Sequence, residues 1–367
     1  MSEVIEVHEG VKRIHCSNCG AELNYSPGTQ HLVCQYCNTR NEIAESAIEI
    51  RENDLLEFLN ANALSSEKET HGTITCNSCG SITDFDEKIS ASNCPFCGNH
   101  LMLKDASRQE RIKPQAILPF AIDKRNAHLK FRDWLGGLWF APNKLKRISN
   151  SPEGMTGIYT PYWTFDAKTV SDYSGERGDD EQRPESYTVS INGRTELRQR
   201  MKTVTRWRAV SGRVQQVFDD WLVLGSDTLP ADKASALQPW ALNELLPFEE
   251  DYLRGFKVES YKIPLEQAFE KARTELTGEI KEAVRRDIGG DHQRIHSLDI
   301  DWQDLRFKHI LLPVWIASYR YNNKSYRFLV NGKTGEVQGE RPYSAWKIAF
   351  LVVAILLVLG AIYLFSK

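Results

Sequence analysis

Cys16-Ser17-Asn18-Cys19-Gly20, with Cys34-Gln35-Tyr36-Cys37-Asn38 following after fourteen residues that separate Cys19 from Cys34, is the stretch from which the fold can be read outward. Offset by sixty residues, Cys76-Asn77-Ser78-Cys79-Gly80 and Cys94-Pro95-Phe96-Cys97-Gly98 repeat it with the same interval. All eight cysteines of the 367-residue chain fall into these four pairs. None is left for a disulfide framework, which places the thiols in a reducing compartment. Each Cys-x-x-Cys turn presents two sulfurs to one ion, and a hairpin between two such turns brings them together. Four thiolates in that arrangement suit tetrahedral Zn2+.

Gly20, Gly80 and Gly98 stand where the chain must turn under the metal, and Asn38 takes that place in the remaining turn. Glu22 to Tyr25 and Ser81 to Phe85 read as short strands, with Pro27-Gly28 as a turn. Each unit, residues 11–41 and 71–105, resembles a zinc ribbon of the kind found in transcription factors and bacterial adaptor proteins. The reading gives two structural Zn2+ ions, one held by Cys16, Cys19, Cys34 and Cys37, the other by Cys76, Cys79, Cys94 and Cys97. A catalytic zinc keeps one position open for water, whereas each set here fills all four. His15, His71 and His100 are then surface residues or outer neighbours of the ions. Units this small cannot build a sufficient core, so metal binding is expected to drive their folding.

Charge bears on what the ribbons meet. Residues 1–110 carry 8 Lys and Arg against 17 Asp and Glu, and the remainder carries 38 against 32, within a net charge of -3. A four-cysteine zinc centre adds about two further negative charges. An acidic head is a poor surface for a phosphate backbone, so protein partners are expected for the ribbons. Residues 42–70 form an acidic linker or short helix carrying Ile43, Ala47, Ile50, Leu55, Phe58 and Leu59.

Residues 111–341 read as an α+β body with signs of internal duplication. Ile117 to Phe120 precedes a helical pattern of Ala127, Phe131, Trp134, Leu135 and Leu138, with Asp123 as its N-cap. Tyr159-Thr160-Pro161-Tyr162-Trp163 then opens a strand. In the second half Lys262 to Leu265 precedes a helix carrying Phe269, Ala272, Leu276, Ile280 and Ala283, stopped by Gly289-Gly290. Leu312-Pro313-Val314-Trp315 opens the matching strand. Thr203 to Arg213 and Val214 to Leu224 read as two strands, and Ala231 to Leu246 as a helix interrupted at Pro239. Ser325 to Val330 and Glu336 to Gly339 read as a hairpin turning through Asn331 to Gly335.

One strand has a charged period of two. Arg198, Arg200, Lys202, Arg206 and Arg208 share one face, while Gln199, Met201, Thr203, Thr205 and Trp207 share the other. Two readings stand for the basic face: a solvated outer surface, or an anion site for lipid headgroups, nucleic acid or the acidic head of the same chain. No active-site motif appears, and no small-molecule substrate is evident. Gly332-Lys333-Thr334 ends like a phosphate-binding loop, but Arg327 stands where its first glycine belongs. His292 and His296 enclose Gln293 where a zinc protease needs glutamate. The chain reads as a non-enzyme.

The last stretch sets the location. Ile348 to Phe365 is eighteen residues without charge, amide or proline, thirteen of them Leu, Ile, Val or Phe. As a helix it measures roughly 27 Å, close to the ~30 Å hydrocarbon core of a bilayer. Trp346, Lys347, Tyr363 and Lys367 suit the two interfaces. Residues 346–365 are therefore expected to form a transmembrane helix. Only Ser366 and Lys367 follow it, and Met1 to Gly10 lacks the apolar run of a signal peptide. Bulk and thiols together place the body in the cytoplasm, on the inner or plasma membrane. Glu340 to Lys347 span less than roughly 30 Å, so the body is expected close to the headgroups and the ribbons free to face the cytosol.

The order of parts, with Asn331-Gly332-Lys333-Thr334-Gly335-Glu336 and the lead-in Gly339-Glu340-Arg341-Pro342-Tyr343-Ser344, resembles a bacterial family of tail-anchored double zinc-ribbon membrane proteins. The resemblance implies a membrane adaptor associated with phage-shock-type and band-7-type membrane-stress proteins. The alternative is a membrane-tethered nucleic-acid-binding protein likened to the primosomal helicase, whose motor motifs this chain lacks.

Overall fold

The two Pro-x-Trp sequences face one another across a single antiparallel strand pair, and that pairing organises the body. The computed structural model describes residues 15–43, 49–60, 68–84, 91–102, 106–140, 142, 154–191, 194–321, 324–340 and 344–365. Ala47, Phe85, Asp105, Arg341 to Tyr343, Ser366 and Lys367, all used in the sequence reading, lie outside these residues.

Along the chain, ribbon 1 is a sheet of β1 (Leu23–Tyr25), β2 (His31–Cys34) and β3 (Arg40–Glu42). Next come β4 (Asn53–Asp54) and α1 (Leu55–Asn60). Ribbon 2 contains β5 (Lys68–Thr75), β6 (Ile82–Asp84), the hairpin of β7 (Ala91–Asn93) and β8 (His100–Met102), and β9 (Ala106–Ile112), which pairs with β5. The body follows with β10 (Ala116–Ile117), α2 (Lys124–Gly137), β11 (Met155–Ile191) and β12 (Arg194–Leu224). After α3 (Ala231–Ser235), β13 (Leu246–Pro247) and β14 (Lys257–Val258) come α4 (Leu265–Ile288) and β15 (His292–Tyr321). The chain closes with β16 (Lys324–Asn331), β17 (Val337–Gly339) and α5 (Ala345–Phe365).

β11 and β15 run antiparallel with Thr160 opposite Leu312, Pro161 opposite Leu311 and Pro313 opposite Tyr159. About this point the two halves repeat one geometry, as the duplicated motifs imply. β14 adds parallel to β11 at Ile158 and Tyr159, and β10 adds parallel to β15 at Ile310 and Leu311. The Gly225 N–H donates to the Pro161 carbonyl at 2.9 Å, and the Gly332 N–H to that of Pro313 at 2.8 Å. Trp163 Nε1 donates to the Ile263 carbonyl at 3.0 Å, and Trp315 Nε1 to the Ile122 carbonyl at 2.8 Å. Proline is normally excluded from a central strand because it lacks the N–H. Here Pro161 falls between Tyr159, paired with β14, and Tyr162, paired with β12. Pro313 likewise falls between Leu311, paired with β10, and Val314, paired with β16. Each proline occupies the gap where the flanking partner changes.

The strands are far longer than the sequence reading allows. The two strands expected between Thr203 and Leu224 are one, β12, and the strand expected to open at Leu312 begins at His292. β11 and β12 pair from Tyr162 and Leu224 out to Ile191 and Arg194. β15 flanks β11 only as far as Gly178. Beyond it, Asp179–Ile191 and Arg194–Arg206 form a two-stranded arm about 40 Å long at ~3.3 Å per residue. The helix expected over Ala231 to Leu246 is confined to α3, with a single 3-10 turn at Leu242–Glu244. Pro239 gives no N–H to continue it and biases its neighbour away from helical geometry.

Both body helices keep their expected faces. Asp123 Oδ1 accepts the Asn126 N–H at 2.7 Å and caps α2, which buries Ala127, His128, Phe131 and Leu135. α4 buries Leu265, Ala268, Ala272, Leu276, Ile280, Val284 and Ile288, one stripe at helical spacing. The distal half of that stripe covers Tyr173, Val210, Val214, Ile295 and Ile300 on one face of the three-stranded sheet.

The ribbons are not free of the body. Leu23, Tyr25, Leu32 and Ile43 of ribbon 1 share a core with Phe120, Tyr159, Tyr252 and Trp315. Tyr25 Oη donates to the Phe120 carbonyl at 3.1 Å, and the Gly28 N–H to the same carbonyl at 2.8 Å. In ribbon 2, Ile74, Phe96 and Leu101 pack with Leu118, Ile158 and Leu312. The expected linker is partly built in as well: β4 pairs with β15, and Leu55 and Phe58 of α1 pack beside Phe307. Lys308 Nζ meets Glu52 at 3.0 Å and Asp220 at 2.7 Å, clasping this segment to the sheet.

Glu259 sits at the seam between ribbon 2 and the body, bridged to Thr83 and 1% exposed. Ser226 Oγ donates to its Oε1 at 2.5 Å, yet burial pushes its carboxyl up to about 7. An acid with a raised folded-state pKa binds more protons folded than unfolded, so its ionisation lowers stability as pH climbs towards that value. Glu259→Gln, which still accepts from Ser226, should be more stable than the native chain at neutral pH. Its advantage should grow by about 1 kcal/mol between about pH 6 and pH 8, measured by thermal denaturation in detergent. An unchanged difference over that range would show that Glu259 does not titrate there.

Candidate metal centres

Four backbone turns of the same construction set up the cysteines. In each, the N–H of the residue after the second cysteine donates to the carbonyl of the first: Gly20 to Cys16 at 2.8 Å, Asn38 to Cys34 at 3.0 Å, Gly80 to Cys76 at 2.7 Å and Gly98 to Cys94 at 2.9 Å. All four donors are left-handed, with φ of 73°, 57°, 72° and 74°. Only glycine and a few polar residues such as asparagine adopt this region readily, which explains Asn38. The N–H of each first cysteine then returns to the carbonyl five residues on, at Ala21, Thr39, Ser81 and Asn99.

The turns converge in pairs. Cys16, Cys19, Cys34 and Cys37 form one group, and Cys76, Cys79, Cys94 and Cys97 the other, with all Sγ atoms of a group within 4.8 Å of one another. Individual Sγ separations are 3.4 Å for Cys16–Cys37, 3.5 Å for Cys19–Cys34 and 3.6 Å for both Cys76–Cys97 and Cys79–Cys94. A tetrahedron with 2.3 Å metal–sulfur bonds has edges of about 3.8 Å. Either group could therefore hold a metal ion with little movement. The first cysteine of every turn is buried, and the second is exposed or half-buried.

Some thiols in each group are arranged to lose a proton. Thr39 Oγ1 lies 3.1 Å from Cys37 Sγ and, with the Thr39 N–H, draws that thiol down to about 5. Cys79 falls to about 4, first through the Cys94 thiol and then through the Ser81 hydroxyl at 3.3 Å. Cys94 is pushed up in turn by the Cys79 thiolate beside it. Cys16 is lowered as well, first by the Asn18 N–H, whereas Cys19 and Cys97 are held up, so a cation among the sulfurs would favour their ionisation. Thr39 and Ser81 were not singled out from sequence. Their signal is a hydroxyl residue two positions after a second cysteine, in Cys37-Asn38-Thr39 and Cys79-Gly80-Ser81. His15 takes no ligand position, because its Nδ1 lies 3.1 Å from the Gly20 carbonyl.

No family model and no solved structure matches the chain. It is similar to the uncharacterized protein YdjG of Bacillus subtilis (strain 168). The two are 24% identical over 343 residues, covering 91% of each chain. That likeness takes in nearly the whole sequence and brings no activity with it.

The basic strand lies on the arm, with its period of two intact. Arg198, Arg200, Lys202, Arg206 and Arg208 continue the face that carries Val210 and Val214, and that face turns charged beyond the end of α4. Each has a carboxylate nearby. Arg200 and Lys202 reach Glu185 at 2.7 and 2.9 Å, Arg206 reaches Glu181 at 3.5 Å, Arg208 reaches Asp179 at 3.6 Å and Arg198 reaches Glu196 at 3.4 Å. Lys202 and Arg200 together hold the Glu185 carboxyl below its usual range. Such exposed pairs contribute little stability, but they neutralise the strand locally.

At the other end of the chain, Trp346–Phe365 of α5 has a mean hydropathy of 3.0 and no residue buried against the body. Among the described residues it is the one helix long and apolar enough to cross a membrane.

The two centres make separable predictions. Full-length protein should carry two metal ions per chain by elemental analysis. Cys37→Ser should remove one ion and Cys79→Ser the other, each leaving the remaining centre loaded, since no sulfur is shared between the groups. Retention of two ions by either variant would exclude that centre as a four-thiolate site.

Proposed function

We propose that this protein is a non-enzymatic adaptor, anchored by α5 with its bulk in the cytosol and carrying two structural Zn2+ ions. The observation that supports this reading best is the combination of a fully unburied apolar helix with two four-cysteine centres packed into the body. Four thiolates at near-tetrahedral spacing favour zinc among the common ions, and filled coordination favours a structural role. Eight cysteines with no partner across a disulfide favour the reducing side of the membrane.

Protein partners are favoured over nucleic acid. The head is acidic, and the basic strand of the arm is matched by Glu181, Glu185 and Asp179 instead of standing open to phosphate. Ribbon 1 offers a contact residue of the right kind: Tyr36, between Cys34 and Cys37, is 84% exposed. A tyrosine held rigidly on a metal-bound turn suits a binding hot spot. Adaptors of the resembled kind recruit membrane-stress proteins of the phage-shock and band-7 types, and such partners are the first to seek.

The test is crosslinking in intact cells followed by affinity purification of the tagged full chain from detergent-solubilised membranes. Tyr36→Ala should keep both zinc ions yet recover its specific partner about tenfold less well, the effect of a 1.4 kcal/mol contact. Identical recovery by the native chain, Tyr36→Ala and a Cys37→Ser/Cys79→Ser double variant would refute ribbon-mediated recruitment. Retention of nucleic acid that falls steeply with salt would favour the primosomal-like alternative instead.

A further inference from the structure

The reading of α5 as a span leaves open how the body meets the bilayer, and the start of the helix bears on this. Ser344 precedes α5 and accepts the Ile348 N–H through its carbonyl at 3.1 Å, closing the first turn. Two bonds tie that turn to the segment following α2. The Ser344 N–H donates to the Phe140 carbonyl at 2.9 Å, and Lys347 Nζ donates to the Trp139 carbonyl at 3.0 Å. Trp139 is 55% exposed and stands edge-on to the Phe140 ring, with centroids 5.1 Å apart. Trp346, at the first position of the span, is 87% exposed.

Lys347 fixes the depth. A lysine in the first turn of a span cannot leave its ammonium in hydrocarbon, so the flexible stem carries it out to the headgroups. Its Nζ is thus a marker of the interface, and the Trp139 carbonyl lies within hydrogen-bond distance of it. Trp139 is therefore held at headgroup depth with its ring exposed. Tryptophan is the residue type that favours this zone, with an apolar ring for the acyl boundary and an N–H for water and headgroups.

Resting on the reading of α5 as a transmembrane helix, we infer that Trp139 and Phe140 form a second membrane contact, an aromatic foot seated in the lipid headgroup layer beside the anchor. The occupant of this surface is the bilayer itself. Continuity with the span, one backbone and one lysine hydrogen bond to its first turn and the exposed ring all point to lipid. Attachment at two places, the helix and the foot, restricts swivelling of the body about Glu340–Ser344.

The experiment uses the full chain reconstituted in bilayers of zwitterionic lipid whose acyl chains are brominated near the headgroup. Trp139→Phe, Trp346→Phe and Trp207→Phe are compared with the native protein, so that each difference spectrum isolates one tryptophan. Zinc content of two ions per chain confirms that each variant is folded. The Trp139 and Trp346 components should each lose more than about half their emission relative to unbrominated bilayers, whereas the Trp207 component from the arm should be unchanged. An unquenched Trp139 component beside a quenched Trp346 component would overturn the foot and leave the span standing. Failure of both to quench would overturn the span and the foot together.

Discussion

The antiparallel pairing of β11 with β15, centred where Thr160 lies opposite Leu312, is the constraint on which the rest of the structure depends. It joins residues 114 to 162 apart in sequence, so a large loop must close before any of its hydrogen bonds form. The return is collected from both sides. Each strand brings a proline at the place where its flanking partner changes, a tryptophan two residues later and a helix on its N-terminal side. Trp163 and Trp315 then reach across to carbonyls just ahead of α4 and α2 respectively. The repeated unit is a short strand, a helix and a long hairpin, and neither copy completes its sheet alone. β10 finds its partner in the other half's β15, and β14 in the other half's β11. Duplication here yields an interlocked pair within one domain.

That interlocking changes the meaning of the ribbons. Isolated zinc ribbons fold on their metal because they have little else to bury. Here Tyr25 enters the same core as Phe120 and Trp315, and Phe96 enters the core of Leu118 and Leu312. The segment from Tyr252 to Ser260 passes between the ribbons, with the Arg254 carbonyl accepting from Tyr25 N–H on one side and the Ser260 N–H reaching the Ile82 carbonyl on the other. Loss of a metal would therefore unsettle a surface that the body relies on. The two four-cysteine groups are thus tied to the body's own core, while Tyr36, on the outward turn between Cys34 and Cys37, stays exposed.

What could be read from sequence divides along the range of the interactions. The metal groups are local: two turns and a hairpin within about twenty residues, so the spacing of Cys16, Cys19, Cys34 and Cys37 suffices, and even Asn38 follows from the left-handed turn it must adopt. The helices are nearly as local, and their buried stripes appear where a period of 3.6 places them. The long strands are not. Much of the arm has no buried face, so the period-two contrast that marks a strand is weak, and the glycines in the stretch that leads to it, Gly175 and Gly212, break the side-chain pattern. In the structure those glycines serve close packing: a side chain at Gly212 would collide with the ring of Tyr173, and one at Gly175 with the Arg294 carbonyl. The basic face was legible as a face, whereas its partners Asp179, Glu181 and Glu185 belong to the opposite strand and depend on a register that only the complete hairpin sets. Docking of the ribbons and of α1 was invisible for the same reason, since nothing near Tyr25 or Phe58 in sequence announces Phe120 or Phe307.

The sheet's polarity decides at which end of the body the chain departs for α5. β17 runs antiparallel to β16, and β16 to β15, which is itself antiparallel to β11. β17 therefore heads opposite to β11, and its last residue, Gly339, lies level with Phe328, Ala317 and Met155, the residue at which β11 begins. The chain leaves the sheet for the anchor at one end, and β11 carries the arm away from the other. The Phe140 and Trp139 carbonyls, accepting from the Ser344 N–H and Lys347 Nζ, fix the first turn of α5 beside the segment that follows α2. The carboxylates paired with the arm's basic face offset most of its charge, so the extension of the arm rests on the backbone ladder of β11 and β12 and not on its ion pairs.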